Sequence, residues 1–330
     1  MNKQLEQFQK QLENGRLAQS FLVTGPEKTG KFRAVVKMTG ILNDLNDDQI
    51  NLVSKGELVD IILIETELSE QKAKSKEQGA GDRDSNQENI KENKALKDRH
   101  RSKKIKDTIT KKQIDSAMKN VSLKNFQLNK KVIIIKEANK MTNTAANSLL
   151  KLIEEPSDNL VIFLLINNDD NILATIKSRC QLVRFSFIDD DQINKVIQGE
   201  YSLDKDIIHS IVELSGGRIE LAREYANNPK KIELAHKVRD SFRTALRGGR
   251  LEQIKLVESL TKSDEDLLWI MNEWIWYLKF FLEKNIQDGQ AIAVIKKIHT
   301  ILKNLLEVRN LIKTTNVSKK VQLENFFVQI

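Results

Sequence analysis

The sequence predicts a chain of two parts, an α/β domain with a mainly parallel sheet followed by an all-helical region. Apolar runs of strand length alternate with helical patterns as far as Phe187, which is typical of an α/β layer. Beyond Phe187 such runs stop, and apolar residues recur at spacings of three and four, as in amphipathic helices. With only 3 prolines and 13 glycines in 330 residues, few helix breakers interrupt these patterns.

Five runs are predicted strands. The first four are apolar except at Thr24 and Asp60, as expected of strands that helices cover on both faces. The fifth alternates apolar and polar residues, which favours an edge position. In chain order the five runs are Phe21–Thr24, Leu58–Ile64, Val132–Ile135, Leu160–Ile166 and Gln181–Phe187.

A charged segment separates the second and third strands. Residues 69–107 hold 12 basic and 8 acidic side chains among 39 residues, with no aromatic residue and no valine. Because such a segment cannot bury enough apolar surface to offset its ordering entropy, we predict a disordered insertion. An alternative is that it binds nucleic acid or a partner protein.

The helical region divides into two predicted domains. Residues 188–230 contain short helices, with a break at 215–217, and residues 231–330 contain longer amphipathic helices. The apolar stripes of the longer helices are wider than one face, which suits a core within the chain or an interface between subunits. One such stripe comprises Leu267, Met271, Trp274, Leu278 and Phe281.

Composition excludes several classes of protein. No run of about 18 apolar residues is present, and the polar start lacks the apolar stretch of a secretory signal. The single cysteine, Cys180, excludes an internal disulfide and a cysteine-built zinc site, and favours the reducing cytoplasm. Half of the net charge of +8 lies in residues 69–107 and the rest does not form one patch, so charge alone favours a solvated surface over a DNA groove.

A phosphate-binding loop follows the first strand. Residues 25–31 read Gly-Pro-Glu-Lys-Thr-Gly-Lys and open a predicted helix, the context that such a loop requires. Its backbone N–H groups and the helix N-terminus favour phosphate. Gly25, Thr29, Gly30 and Lys31 are therefore the candidate nucleotide-binding residues.

The residues that should hold Mg²⁺ are absent from this loop and from the third strand. Phe32 stands where a Ser or Thr hydroxyl would bind the metal, and Lys136 stands where the first carboxylate of an acidic pair belongs. Glu137 is the carboxylate that remains. We therefore predict no metal site and no hydrolysis in this chain. A purely structural loop, or nucleotide binding through Lys31 without metal, both stay open.

Two further strings carry a family resemblance. Residues 141–156 read Met-Thr-Asn-Thr-Ala-Ala-Asn-Ser-Leu-Leu-Lys-Leu-Ile-Glu-Glu-Pro, and Ser178-Arg179-Cys180 precedes the fifth strand. With the loop before them, they resemble the AAA+ clamp-loader subunits of bacterial DNA polymerase III over about residues 17–187. The resemblance implies a RecA-like AAA+ domain at 1–187, a helical lid at 188–230 and a helical collar for oligomerisation at 231–330.

The resemblance also implies that subunits of the complex differ in whether they hydrolyse ATP. Some family members have a degenerate phosphate loop and do not hydrolyse ATP, and Phe32 and Lys136 favour that group. The arginine aligned with Arg179 acts in trans, as a finger on the γ-phosphate of a neighbour's ATP. Asn167 is a weak candidate for a γ-phosphate sensor, with Asn168 as an alternative. The resemblance also implies an arginine on the last helix of the lid that senses bound nucleotide. Glu220 stands at that position in this sequence, and Arg218 or Arg223 could substitute.

The implied partners are the gamma/tau ATPase subunits and the clamp-opening delta subunit, with the sliding clamp and primer-template DNA reached through the complex. No cofactor of its own is required, and neither zinc nor a membrane is expected. Trp269, Trp274 and Trp276 are expected to pack into the collar of the oligomer.

The main alternative is an ATP-hydrolysing, gamma/tau-like or other AAA+ subunit, and another is a nucleic-acid-binding module that acts through the insertion.

Overall fold

The computed structural model describes residues 2–66, 107–123, 127–167, 172–262, 266–315 and 317–330. Its contacts divide the chain into two compact units, Met1–Phe187 and Ile188–Ile330. Apart from Asp107, the predicted insertion at 69–107 lies outside the described residues, and so does Asn168.

The first unit is built on a parallel sheet in the order β2-β3-β4-β1-β5. Each strand overlaps a predicted run. The second run is shorter than predicted because Leu58–Asp60 form a turn, and the fifth ends at Arg184. The strands are β1 Ser20–Thr24, β2 Ile61–Ile64, β3 Lys131–Ile135, β4 Leu160–Ile166 and β5 Gln181–Arg184.

Helices cover both faces of this sheet, as the apolar runs predicted. Alternate residues of β1 enter different cores: Phe21 and Val23 pack in one, and Leu22 packs in the other. Phe21 stacks on Phe163 of β4 with ring centroids 5.2 Å apart. The helices of this unit are α1 Asn2–Glu13, α2 Lys31–Leu42, α3 Asp47–Lys55, α4 Lys111–Val121, α5 Asn143–Glu154 and α6 Ala174–Lys177.

The strand register brings the segments that follow the strands, including the loop after β1, to one edge of the sheet. Thr24 of β1 lies level with Ile166 of β4 and with Arg184 of β5. Ile135 of β3 lies level with Ile64 of β2. Because all the strands are parallel, the segments that follow them emerge at the same carboxyl edge.

The described residues of the second unit form helices and the short segments that join them. One helix, α10, packs in two hydrophobic cores. The first part of α10 packs Ile232 and Ala235 against α7–α9. Its second part packs Val238 and Phe242 against α11–α14. The helices are α7 Asp190–Glu200, α8 Lys205–Ser215, α9 Ile219–Asn227, α10 Pro229–Arg247, α11 Arg250–Lys262, α12 Leu267–Gln287, α13 Ile292–Thr314 and α14 Lys319–Val328.

The predicted role of Trp274 between subunits is wrong. Its side chain is completely buried in the core of its own unit, stacked on Phe242 with ring centroids 4.5 Å apart. The indole N–H donates to the carbonyl oxygen of Val238 at 3.2 Å. The helical spacing that placed Trp274 on an apolar stripe is satisfied by packing inside the chain.

None of the helices in the described ranges combines the length and the apolar composition needed to cross a bilayer.

Candidate functional site at the carboxyl edge of the sheet

The predicted phosphate loop joins β1 to α2 and contains two glycines with positive φ. Gly25 has φ of +145°, and a Cβ atom there would lie 2.2 Å from the carbonyl oxygen of Phe185. A side chain at this position is therefore excluded by the segment after β5, whether or not a ligand binds. Gly30, with φ of +90°, caps the N-terminus of α2 in the left-handed conformation.

Lys31 is bound to the carbonyl groups of its own loop. Its Nζ donates to the carbonyl oxygens of Gly25 and Pro26, each at 2.6 Å. Thr29 Oγ1 donates to the same oxygen of Pro26 at 2.8 Å. Burial lowers the pKa of Lys31 to about 8, although the nearby Glu27 carboxylate partly opposes the shift. The ammonium group that would hold phosphates is thus partly buried and already hydrogen-bonded.

An ammonium group and an aromatic ring stand together where metal ligands would be expected. Lys136 Nζ lies 3.6 Å from the ring centroid of Phe32, within the range of a cation–π contact. The same atom lies 2.5 Å from Glu65 Oε1. Mg²⁺ prefers oxygen ligands in octahedral geometry, and neither residue supplies one. The residues present therefore do not fit a magnesium ion.

Glu137, the surviving carboxylate, is bound to a lysine of its own turn. Glu137 Oε1 lies 2.6 Å from Lys140 Nζ, which also lies 3.0 Å from Asp107 Oδ2. Burial by itself would lower the pKa of Lys140, but its hydrogen bonds to Glu137 and Asp107 raise that pKa above the usual value. Within the described residues no group of three or more His, Cys, Asp and Glu side chains is placed to hold a metal ion.

Asn167 lies where a sensor residue is expected, directly after β4. Since Thr24 and Ile166 are level in the sheet, Asn167 and Gly25 are the next residues of the two adjacent strand ends. The side chain of Asn167 is exposed. The register thus places Asn167 beside the start of the loop.

Arg179 lies at the surface in the turn between α6 and β5, at the amino edge of the sheet and therefore at the opposite edge from the phosphate loop. Its Nη2 lies 2.9 Å from Glu154 Oε1, at the end of α5, and its Nη1 donates to the carbonyl oxygen of Thr175 at 3.1 Å. The side chain of Arg179 is 41% exposed. Burial raises the pKa of the adjacent Cys180 thiol to about 11, so this cysteine is poorly suited to nucleophilic or redox chemistry.

Both lid arginines considered as sensors are buried in the second unit. Arg218 Nε donates to the carbonyl oxygen of Ser215 at 2.7 Å, and its guanidinium carbon lies 3.9 Å from the ring centroid of Trp276. Arg223 donates to Glu200 at 2.7 and 2.8 Å and to Glu220 at 2.6 Å. Each guanidinium is therefore used in packing within its own unit.

Sequence reasoning identified Phe32, Lys136 and Arg179 but missed their partners. Glu65 is the residue after β2, and Lys136 is the residue after β3. Ile64 and Ile135 pair in these adjacent strands, so the next two residues meet. That pairing was accessible only with the strand order known. Glu154 gave no comparable signal, because one carboxylate at a helix end has many possible partners.

Comparisons with known proteins identify the family of this chain. A family model described as DNA polymerase III, delta subunit, matches residues 1–189, which include the loop, Lys136 and Arg179. DNA polymerase III subunit delta' of Bacillus subtilis is 30% identical over 182 residues, covering 55% of this chain and 49% of the relative. Subunit delta' of Escherichia coli is 31% identical over 87 residues, covering 26% of each protein. The chain aligns with about half the length, or less, of the curated relatives it matches.

A solved structure supports the fold over the whole chain. A DNA polymerase III gamma subunit-related protein from Thermotoga maritima superposes with a TM-score of 0.52, covering 99% of this chain and 98% of that one, at 14% identity. At that identity the likeness concerns the fold, a RecA-like α/β domain followed by a helical region. The family model covers more than half of the chain, and the chain therefore belongs to the DNA polymerase III delta subunit family, in the delta-prime group of clamp-loader subunits.

Proposed function

We propose that this chain is a non-hydrolysing subunit of a DNA replication clamp loader, and that it supplies Arg179 to ATP bound by a neighbouring ATPase subunit. One observation carries the proposal: Lys136 and Phe32 contact each other where a working site would hold Mg²⁺. The family supports the setting in DNA replication. The contacts of Lys136, Glu137 and Arg179 support the roles proposed for these residues.

The first half of the proposal, absence of hydrolysis, follows from charge. A metal ion stabilises the negative charge that develops on the transferred phosphoryl group, and this contributes several kcal/mol in metal-dependent reactions. Here Lys136 stands where the first metal-binding carboxylate belongs, and its ion pair with Glu65, at 2.5 Å, engages that nearby carboxylate. Glu137, which would polarise the attacking water, is bound to Lys140 instead. Neither group is available for catalysis in this chain.

The second half, action in trans, follows from the exposure of Arg179. Its ion pair with Glu154 is a surface pair, of the kind that contributes about 0–1 kcal/mol. A phosphate group can therefore replace Glu154 at little cost. A guanidinium group matches phosphate with a planar fork of donors. A finger of this kind accelerates related phosphoryl transfers by about 10³–10⁵-fold.

The proposed partners are gamma/tau-type ATPase subunits and a clamp-opening delta subunit, and through them a sliding clamp and primed DNA. Apolar side chains exposed on the C-terminal helices support contact with other subunits. They include Phe280 and Phe281 of α12, Leu311 of α13 and Val321 of α14. The chain needs no nucleotide or metal of its own in this role.

The experiment that tests the first half measures ATP binding and turnover by the purified chain, with Mg²⁺ and with a chelator. We expect no turnover in either condition. Mg²⁺-dependent turnover that Lys31→Ala abolishes would contradict the proposal and would make the chain a motor subunit. The second half is tested in the assembled complex with Arg179→Ala, as described in the Discussion.

A further inference from the structure

A cavity lies beside β5, the last strand in the sheet order, within the first unit. Its volume is about 290 Å³, near the lower end of the range for small-molecule sites, about 300–1,000 Å³. The residues that line it come from α1, β1, α2 and β5. Among these described lining residues, none belongs to the loop at 25–31. The proposed function uses none of their side chains, so the cavity needs an explanation of its own.

Four glutamines give the cavity a polar, uncharged wall. Gln4, Gln7 and Gln11 stand at positions i, i+3 and i+7 of α1 and therefore share one face of that helix. Gln181, at the start of β5, completes the set. The charged member of the lining is Arg184, which is exposed. The wall thus offers amide groups, and a ligand held there needs no charge.

Two hydrogen bonds order these amides and leave some of their polar atoms unused. Gln4 Nε2 donates to the carbonyl oxygen of Arg184 at 3.0 Å, and Gln181 Nε2 donates to Gln11 Oε1 at 3.1 Å. The second bond leaves Gln11 Nε2 as a donor and Gln181 Oε1 as an acceptor. Gln4 Oε1 is buried and has no hydrogen-bond partner within the part of the chain that the structure describes. The wall therefore keeps both donors and acceptors for a ligand.

Apolar side chains form much of the remaining lining. Phe8, Phe21 and Met38 each expose 3% or less of their surface and pack in the same hydrophobic core. The ring centroids of Phe8 and Phe21 are 5.6 Å apart. Aromatic rings and a methionine sulfur make favourable contacts with a flat apolar group. The cavity thus combines a surface suited to a ring with uncharged amides.

We propose that this cavity binds a compact, uncharged ligand in which a flat ring carries an amide edge, a C=O beside an N–H. Such an edge pairs its N–H with a glutamine oxygen and its C=O with a glutamine N–H, so it uses both kinds of group that Gln11 and Gln181 leave. A carboxylate or a phosphate offers acceptors only, and an ammonium group offers donors only. Each of these would leave part of the wall unpaired and would lack a counter-charge when buried.

Two kinds of molecule carry this edge, aromatic carboxamides and the lactams of nucleobases, and the test includes both. Benzamide and uracil are titrated against the full chain and followed by saturation-transfer NMR and thermal unfolding. We expect at least one of them to raise Tm, by about 3–5 °C at about ten times its dissociation constant, because a ligand that binds only the folded state stabilises it. A response to benzamide alone identifies a carboxamide ligand, and a response to uracil alone identifies a nucleobase. Benzoate and N,N-dimethylbenzamide, which keep the ring but lack the N–H, should give no rise.

Gln11→Met and Gln181→Met each remove one amide of the wall and keep the length of the side chain. Each should weaken binding of the ligand about five- to tenfold, because one hydrogen bond to the ligand is lost. Gln9→Met, at an exposed position of α1 outside the lining, is the matched control and should keep the parent affinity. Chemical denaturation checks that each variant is folded. Since the two variants lie on different elements, either one decides the question if the other does not fold.

Three results would overturn the proposal. Neither saturation transfer nor a change in Tm with benzamide and with uracil would show that the cavity holds no ligand of this kind. An equal rise in Tm with benzoate or N,N-dimethylbenzamide would show apolar binding without recognition of the amide. Parent affinity in both Gln11→Met and Gln181→Met would place the bound probe elsewhere on the chain.

Discussion

Positive charge stands at both edges of the parallel sheet, at the phosphate loop on the carboxyl edge and at Arg179, before β5, on the amino edge, and the two places differ in what the charge can still do. At the phosphate loop, Lys31 is bound to the carbonyl oxygens of Gly25 and Pro26, and Lys136 is bound to Glu65 and the ring of Phe32. At the turn before β5, Arg179 is exposed and held by one surface ion pair. The first place is occupied by its own chain, and the second is accessible to a partner.

The difference teaches that residue type alone does not identify a functional cation. Lys31 sits at the loop position most associated with nucleotide binding, yet its donors are already directed to its own backbone. Arg179 follows a four-residue helix, and its contacts are the kind that a phosphate can replace. Whether a cationic side chain can act on a ligand depends on the free energy needed to break its contacts with its own chain.

The largest expected effect concerns Arg179. In a reconstituted complex, Arg179→Ala should lower turnover at the neighbouring ATP site by about 10³-fold, because the transition state loses its guanidinium group. Turnover and complex assembly are measured together, by steady-state ATP hydrolysis and by size-exclusion chromatography. Lys177→Ala, which removes a positive charge from α6, is the matched control and should have little effect. Normal turnover by an assembled Arg179→Ala complex would contradict the proposal that Arg179 acts on ATP bound by a neighbouring subunit.

The next prediction uses the titration of Lys31. Its pKa is about 8 in the folded chain and near 10.5 when the chain is unfolded, so the unfolded state binds more protons between these values. The free energy of unfolding should therefore rise between about pH 8 and pH 10.5, by about 3 kcal/mol, because the buried ammonium loses its proton.

Chemical denaturation at a series of pH values measures this rise. Lys31→Met should flatten it, whereas Lys10→Met, at an exposed position of α1, should not. A rise of equal size in the Lys31→Met variant would mean that Lys31 is solvated and free to reach a phosphate. In that case Lys31, like Arg179, would be accessible to a phosphate group.

A smaller effect is expected when the metal ligands are restored. The double variant Phe32→Thr with Lys136→Asp supplies a hydroxyl and a carboxylate where Mg²⁺ would need them. We expect ATP to bind about tenfold more tightly with Mg²⁺ than with a chelator, as measured by calorimetry, while the parent shows no such difference. Either single variant should show no Mg²⁺ dependence, since one ligand alone leaves the site incomplete. A parent chain that already binds Mg-ATP would contradict our reading of Lys136.

Much of the sheet and the place of the loop between β1 and α2 could be predicted from sequence, because apolar runs and motif positions are local properties. The contact between Lys136 and Phe32 could not, because it depends on strand order: β4 lies between β3 and β1. Arg218 shows the same limit. Its place after two glycines suggested a sensor, but the fold directs it onto Trp276, which lies 58 positions further along the chain.

The smallest effect concerns Glu154, the carboxylate paired with Arg179. Glu154→Gln should change turnover at the neighbouring ATP site by less than about fivefold, because a surface ion pair contributes about 1 kcal/mol at most. Glu155→Gln, which alters the adjacent exposed carboxylate, is the control in the same ATPase assay. A loss larger than about tenfold in Glu154→Gln alone would mean that Arg179 acts only when its own chain holds it. Arg179 would then depend on its intramolecular contact, as Lys31 and Lys136 do at the loop.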